Sequence, residues 1–258
     1  MRAAAAALVL AAAATPCHGG AWTQPAGKGQ VIIKYEDVEA NRGFDADGAR
    51  VRLPAPRAER FASVFAEYGL APRWTLRLKT DWQSGRDAFV DYEGRGPLEV
   101  GVAWQAWRTD RAAVAIYAGV ADGGEGRNAG YAAPGAGGRD VEVRLAAGRS
   151  FGAVAGPLHP LAAEGGFVEV QLARRGREDL ADETRMDLTV GVRPHRDWLL
   201  MSQVYAGAAD GGPRWVNAET SVVREFGDWS VQLGWREAVA GRDTPAPRGP
   251  VVGLWRRF

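Results

Sequence analysis

Apolar and polar residues alternate along most of the chain, and no segment shows a convincing helical period. A two-residue period is typical of β-strands that turn one apolar face away from a polar one. We predict twelve strands, most of them about the 9–11 residues that a tilted strand needs to cross a bilayer. They lie near residues 30–40, 58–68, 74–83, 98–107, 112–121, 140–150, 167–175, 184–193, 198–206, 216–226, 230–238 and 250–258.

The connections between these strands alternate in length. Short connections lie near residues 69–73, 108–111, 194–197 and 227–229. Longer ones, rich in Gly, Asp and Arg, lie near residues 41–57, 84–97, 122–139, 176–183, 207–215 and 239–249. This alternation indicates an up-and-down meander with one plain end and one elaborated end. The connection 151–166 should be short in this scheme and is not.

The first residues predict a secretory signal peptide. A short positive start, Met1-Arg2, precedes twelve apolar residues at 3–14, and small residues follow at 19–21. The apolar stretch is shorter than the roughly 20 residues of a spanning helix. We predict cleavage after Ala21, so that residues 1–21 are the signal peptide and residues 22–258 are one barrel domain without cysteine.

Alternation alone fits a soluble barrel or sandwich as well as a membrane barrel. Several tryptophans fall at strand ends, where a ring at headgroup level is favoured: Trp74, Trp82, Trp107, Trp198 and Trp229. Together with the signal peptide and the unequal loops, they favour the membrane. The fold we predict is all-β, a single 12-stranded antiparallel up-and-down transmembrane β-barrel. A soluble periplasmic β-barrel or β-sandwich binder is the less favoured alternative.

The net charge excludes one class of partner. Without Arg2 the chain carries as many basic as acidic residues, and no block of one sign stands out. Nucleic-acid binding needs a basic patch, so we predict no nucleic-acid partner.

Charged residues alternate with aliphatic ones on the predicted strands. If Val141, Val143 and Leu145 face lipid, the residues between them and their equivalents on other strands line the lumen. These candidates are Lys34, Glu36, Glu67, Arg77, Lys79, Asp81, Glu99, Glu142, Arg144, Glu169, Arg185, Asp187, Glu219 and Arg236. Unpaired charges in a confined space are costly, so neighbouring strands should pair them. The pattern fits both a structural lattice that fills the barrel and a selective pathway.

A hydrolase motif is present without its structural context. Gly148–Gly152 matches G-x-S-x-G, and Asp187 and His195 follow it in the order of a catalytic triad. The nucleophile of such enzymes sits between a strand and a helix, whereas here Gly, Ala and Pro follow. We therefore predict no catalytic residue and no enzyme activity.

Metal and cofactor chemistry has equally little support. His159 and His195 fall in predicted connections, so no strand supplies a histidine as a base or a ligand. The run Asp45-Ala-Asp47-Gly48 matches the start of a calcium loop but lacks the later ligands, and an Asp/Gly turn explains it better. We predict no metal and no cofactor.

Three hairpin segments resemble a known family. They are GAWTQPAGKGQVIIKY (20–35), EYGLAPRWTL (67–76) and LTVGVRPHRDWLL (188–200). They are similar to bacterial outer-membrane β-barrels grouped as transporters of the phenol-degradation meta-pathway type. This resemblance implies a barrel in the outer membrane of a Gram-negative bacterium, in contact with outer-membrane lipid and reached after signal-peptide cleavage.

The last strand resembles the assembly signal of outer-membrane barrels. Gly253 lies five residues before the terminal Phe258, as in that signal, while Arg256 stands where an aromatic or aliphatic residue is usual. The resemblance implies the barrel-assembly machinery as a partner.

These features predict a narrow channel or facilitator for small neutral or weakly polar solutes, and the sequence does not name the solute. The alternative is a non-conducting structural or interaction barrel that uses its extracellular loops at 84–97 and 122–139.

Overall fold

A computed structural model describes residues 20–258, in which one antiparallel sheet closes into a barrel. The strands are β1 (Gly29–Phe44), β2 (Arg50–Ala71), β3 (Trp74–Arg86), β4 (Asp91–Arg95), β5 (Leu98–Arg108), β6 (Ala112–Asp122), β7 (Arg139–Phe151), β8 (Gly166–Arg177), β9 (Glu183–His195), β10 (Trp198–Ala209), β11 (Arg214–Phe226), β12 (Trp229–Arg242), β13 (Thr244–Pro245) and β14 (Arg248–Arg257). A short 3-10 helix spans Gly156–Leu161. Within this part of the chain, no helix is long and apolar enough to cross a lipid bilayer.

The barrel has twelve full strands, because β4 and β13 are short extensions. β4 pairs only with β3, and β13 pairs only with β1. The remaining strands pair with their neighbours in chain order, and β1 closes the ring by pairing with both β2 and β14. The predicted twelve-stranded up-and-down barrel is therefore confirmed.

The predicted long connection at 41–57 is wrong. β1 and β2 continue past the barrel as a hairpin, and only residues 45–49 remain as a turn. The prolines at 54 and 56 suggested a loop, since proline cannot donate to a strand ladder. The register between β1 and β2 shifts between Ala40 and Arg42, next to the prolines, so the hairpin accommodates them.

One end of the barrel is plain, as predicted. Turns of two residues join β2 to β3 and β11 to β12, with Arg73 and Gly227 at positive φ of 72° and 62°. The exception at this end is the connection between β7 and β8, which contains the 3-10 helix. The Val154 N–H donates to the Ala162 carbonyl at 3.1 Å and closes this connection into a compact loop.

The outer face of the barrel carries an apolar band. On β7, Val141, Val143 and Leu145 are 58%, 54% and 49% exposed, while Glu142 between them is buried. Ile116 and Leu172 flank Leu145 on the neighbouring strands and are exposed as well. A soluble barrel would turn these residues inward, so the exposed band has the pattern of a lipid-facing surface.

Tryptophans border this band at both ends. Trp74, Trp107, Trp198 and Trp229 lie exposed near the plain end, and Trp82 lies exposed towards the other end. Arginine side chains cover two of these rings: the Arg224 guanidinium lies 4.9 Å from the Trp198 ring, and Arg256 lies 5.1 Å from Trp229. Such an arrangement suits the headgroup region, where one part of the ring is apolar and its edge is polar.

The band allows a test of the lipid-facing side. Replacing Leu145 with arginine is expected to lower the free energy of unfolding by about 2–4 kcal/mol, since a charge at mid-depth of the bilayer is costly. Val51→Arg is the matched control, because Val51 is also aliphatic and exposed, at 40%, but lies on the hairpin beyond the barrel. Denaturant titration of the barrel refolded into lipid vesicles measures both variants. Equal stability of the two variants would contradict the lipid-facing assignment.

Candidate functional site

One wall of the lumen is a network of arginines and carboxylates centred on Glu142 of β7. The Glu142 carboxylate lies 2.7 Å from Arg144 and 2.7 Å from Arg175, and 4.0 Å from Arg185. Arg175 also pairs with Glu99 of β5, although two strands lie between them. The network therefore ties four strands of the wall together from inside.

A second, smaller network lies on β1, β11 and β12. Glu219, which is 1% exposed, pairs with Arg236 at 2.6 Å and with Lys34 at 3.2 Å. Arg236 also pairs with Glu36 at 2.6 Å, so the network bridges the closure of the barrel. Gln232 and Ser221 donate to the remaining acceptor positions of Glu219.

The cavity between these walls has a volume of about 710 Å³. Of the predicted lumen residues, Glu142 and Glu219 lie buried behind the cavity surface. The others line it: Lys34, Glu36, Glu67, Arg77, Lys79, Asp81, Glu99, Arg144, Glu169, Arg185, Asp187 and Arg236. Their part in solute passage stays a prediction.

The sequence prediction missed several lumen charges near the elaborated end. Arg175 and Arg177 continue the inward positions of β8. Arg175 ends the predicted strand 167–175 without being assigned to the lumen, and Arg177 falls in the predicted connection 176–183. Other members of this group are Arg57, Glu59, Arg127, Asp140 and Glu183. The two-residue period of β8 extended past residue 175 would have found Arg175 and Arg177.

Apolar side chains also line the cavity, next to the charged positions of β1 and β2. Ile32 and Val38 of β1 and Phe61 and Phe65 of β2 line the cavity. The lumen thus presents polar and apolar side chains side by side, which suits molecules that carry both kinds of surface.

The residues that precede β1 fold back into the barrel. This N-terminal segment, residues 20–28, runs inside the plain end, and Trp22 is 5% exposed there. The Trp22 ring packs edge-on against Phe167, and a Cβ at Gly148 would lie 2.3 Å from the ring. Buried Leu199 and Val223 complete the apolar cluster around it. The segment therefore occupies part of the lumen at the plain end.

Polar contacts hold the N-terminal segment in register. The Gln24 amide donates to Glu67 at 3.0 Å, and the Gln24 backbone N–H donates to Thr75 at 2.8 Å. Gln105 donates to the Ala21 carbonyl at 2.9 Å. These contacts come from three adjacent strands, β2, β3 and β5, so the segment is fixed to that side of the wall.

The connection between β6 and β7 folds over the other end. We call residues 123–138 the lid, since residues 127–131 line the cavity from above. Tyr131 of the lid donates to Glu183 of β9 at 2.7 Å, and Arg57 of β2 donates to the Gly130 carbonyl at 2.9 Å. Because β2 and β9 lie on different sides of the barrel, the lid reaches across its mouth.

Arg127 is the main anchor of the lid. Its guanidinium is 7% exposed, lies 3.1 Å from Glu59, pairs with Asp87 and donates to the Ala132 carbonyl. Its centre lies 5.0 Å from the Tyr92 ring. One side chain thus connects the lid to β2, to β4 and to the connection that follows β3.

The lid contact at Asp87 is insensitive to moderate acid. Burial opposes ionisation of Asp87, but the Phe89 and Val90 N–H groups and the Arg127 guanidinium outweigh it and hold its pKa below its ordinary value of 3.8. A lowered pKa in the folded state stabilises the fold fully above the unfolded value. The contribution of Asp87 is therefore present above pH 3.8 and is lost only below it.

The G-x-S-x-G motif does not assemble a triad. Ser150 lies near the plain end, and its hydroxyl donates to the Arg111 carbonyl at 3.3 Å. Asp187 lies in the lumen and pairs with Arg144 at 3.0 Å, while His195 ends β9 on the outside with Asp197 as its neighbour. The three residues lie in different parts of the barrel and do not meet.

The other candidate chemistry has structural explanations. The Asp45 carboxylate accepts the N–H groups of Asp47 and Ala49 at 3.0 and 2.9 Å, as in an ordinary Asp turn. His159 Nδ1 lies 3.1 Å from the Val154 carbonyl. In residues 20–258, no group of three or more His, Cys, Asp or Glu side chains is placed to hold a metal ion.

Comparison with known proteins finds similarity in structure alone. No model of a protein family and no curated protein matches the chain. The COG4313 outer membrane channel from Pseudomonas putida F1 is 12% identical, with 93% of this chain and 99% of that chain covered and a TM-score of 0.67. The KdgM porin is 8% identical, with 88% and 99% covered and a TM-score of 0.52. The P. putida toluene transporter TodX is 10% identical, with 91% of each chain covered and a TM-score of 0.50.

These similarities agree with the resemblance seen in the hairpin segments. The prediction of an outer-membrane barrel is confirmed at the level of the fold. The chain has the fold of the outer-membrane β-barrels to which channels and porins belong.

Proposed function

We propose that the protein is an outer-membrane channel that lets small neutral or weakly polar solutes pass through a narrow lumen. The exposed apolar band and the tryptophans at its borders support a position in a bilayer. The structural relatives are named as a channel, a porin and a transporter, which supports the same class of function.

The pairing of charges in the lumen carries the proposal. Arg144, Arg175, Arg185 and Arg236 each lie within 4 Å of carboxylates, and the same holds for Lys34. Opposite fixed charges at this range largely cancel each other's field, whereas selective ion pores expose rings of one sign. A permeating ion of either sign therefore finds no row of unpaired charges.

The narrowing at both ends sets the size of the solute. The N-terminal segment narrows the plain end and the lid narrows the other, so a cavity of about 710 Å³ remains between them. This volume is in the range of pockets that hold one small molecule. Large oligomers are therefore poor substrates, while single small molecules with one apolar side suit the lumen.

Reversal potentials in planar bilayers test this function. Under a steep KCl gradient we expect a small conductance and a reversal potential near zero. Lys79→Gln and Asp81→Asn form a matched pair, because both side chains line the cavity on β3 and differ in sign. They should shift the potential slightly in opposite directions.

Two outcomes would contradict the proposal. Strong selectivity for one ion sign that a single lumen substitution abolishes would mean that the charges form a filter. Absence of conductance, combined with no uptake of small sugars or aromatic alcohols in liposome-swelling assays, would favour the non-conducting structural barrel. The lid is hydrogen-bonded to lumen residues. A barrel that binds a partner through its extracellular loops would therefore have to use other loop surfaces.

A further inference from the structure

A buried carboxylate in the lumen holds the start of the N-terminal segment. Glu169 of β8 is 2% exposed, and its two oxygens accept the backbone N–H groups of Gly20 at 2.9 Å and Ala21 at 2.8 Å. The Gln171 amide also donates to Glu169. The carboxylate therefore has hydrogen-bond donors from the segment, but these donors are neutral amides.

Glu169 is an exception among the cavity charges. In the described chain, the charged side chains that line the cavity belong to ion pairs within 4 Å, apart from Lys79, Asp81 and Glu169. Lys79 and Asp81 lie two residues apart on β3 and interact electrostatically. Glu169 interacts in this way with Arg77, which is itself the ion-pair partner of Glu67.

Arg77 is near Glu169 but is already engaged. Its guanidinium pairs with Glu67 at 2.8 Å and donates to the Gly20 carbonyl at 2.9 Å. A buried carboxylate without a cation is costly. The position of the Gly20 nitrogen, directly on Glu169 Oε1, suggests where a cation can come from.

We propose that the signal peptide is removed between Gly19 and Gly20, and that the new α-ammonium group of Gly20 is the counter-ion of Glu169. Hydrolysis of that peptide bond by a signal peptidase consumes one water, leaves a carboxylate on Gly19 and frees the Gly20 amine, which takes up a proton. The positive charge then lies at the atom 2.9 Å from Glu169 Oε1.

The sequence permits this cleavage as well as the one predicted after Ala21. A cleavage site needs small residues at its last and third-last positions, and Gly19 and Cys17 satisfy this. Cleavage after Ala21 would instead remove the two N–H groups that bind Glu169 and the carbonyls that bind Arg77 and Gln105. Only the earlier cleavage keeps all four contacts.

Gly20 lies close to the side chains that surround Glu169, with no room for a larger residue. A Cβ there would lie 2.5 Å from the Gln171 amide nitrogen, so a larger residue would displace the side chain that supports Glu169. The inference rests on the export and membrane position proposed above, but not on conductance.

The first test determines which residue begins the mature chain. Protein purified from outer-membrane fractions should begin at Gly20 by N-terminal sequencing, with an intact mass equal to that of residues 20–258. A start at Trp22 or elsewhere overturns the inference and leaves the channel proposal intact. Absence of the protein from the outer membrane would instead contradict the membrane position.

The second test measures how far Glu169 protects the Gly20 α-amino group from chemical labelling. Near neutral pH, amine reagents modify an α-amino group before lysines because its pKa is lower. In the folded barrel the Gly20 amine should react slowly, and Glu169→Gln should raise the rate at least about tenfold, since it removes the charged partner. Glu164→Gln is the control, because Glu164 is exposed in the loop before β8.

Equal labelling rates in the Glu169→Gln and Glu164→Gln barrels would overturn the ion pair. If the Glu169→Gln chain does not fold, the sequencing result on the native protein still decides the cleavage site.

Discussion

Single-channel conductance should rise several-fold when Arg127 is replaced by alanine. The side chain joins the lid to Glu59 and Asp87, and its loss leaves the lid without its main ionic anchor. Glu59 keeps a cation within 2.7 Å, since Arg57 also pairs with it, and Tyr92 still donates to it. The substitution should therefore open the mouth without unfolding the barrel.

The matched control for this prediction is Arg86→Ala. Arg86 pairs with Asp91 at the same end of the barrel, but both side chains are exposed and neither touches the lid. Its conductance should equal that of the native protein. The ratio of the Arg127→Ala conductance to the native conductance should be the same at about pH 5 as at neutral pH, because the Asp87 contact persists above its lowered pKa. An Arg127→Ala channel with native conductance would show that the lid does not limit passage.

The largest loss of stability should follow the replacement of Arg175 by leucine. Arg175 is 4% exposed and is the common partner of Glu99, Asp140 and Glu142. Asp140 and Glu142 keep other arginines within ion-pair distance, whereas Glu99 keeps the Tyr117 hydroxyl at 2.8 Å and only the longer-range attraction of Lys79 and Arg144. Removing one partner of a buried ion pair leaves an uncompensated charge and costs about 3–5 kcal/mol.

Neighbouring Arg174 provides the control for this effect. Arg174 points outward from the same strand and pairs with Asp182 and Asp210 at the surface, so Arg174→Leu should change stability little. Denaturant unfolding in lipid vesicles, followed by tryptophan fluorescence, measures both. The double variant Arg175→Leu/Glu99→Gln should recover part of the lost stability, because it removes the carboxylate that has lost its arginine partner. Equal unfolding midpoints for Arg175→Leu and Arg174→Leu would refute the role of the network.

The sequence by itself determined the strand number, the order of strands and the two faces of each strand. Successive side chains on a strand point to opposite sides, so the run Val141–Leu145 alone assigns Val143 outward and Glu142 inward. Short turns force neighbours in sequence to pair, which gives the meander. In residues 50–57 prolines break the period, and the strand continues there through a register shift against β1 that the local pattern does not show.

Only the tertiary structure decided which charges meet and what closes the lumen. Two strands lie between Arg175 and Glu99, and Arg236 reaches Glu36 across the closure between the last and first strands. Closing a sheet into a ring brings side chains together across the lumen whose separation along the chain carries no local signal. The N-terminal segment and the lid enter the barrel for the same reason. Their partners, such as Glu169 for Gly20 and Glu59 for Arg127, exist as a site only after the strands have closed around them.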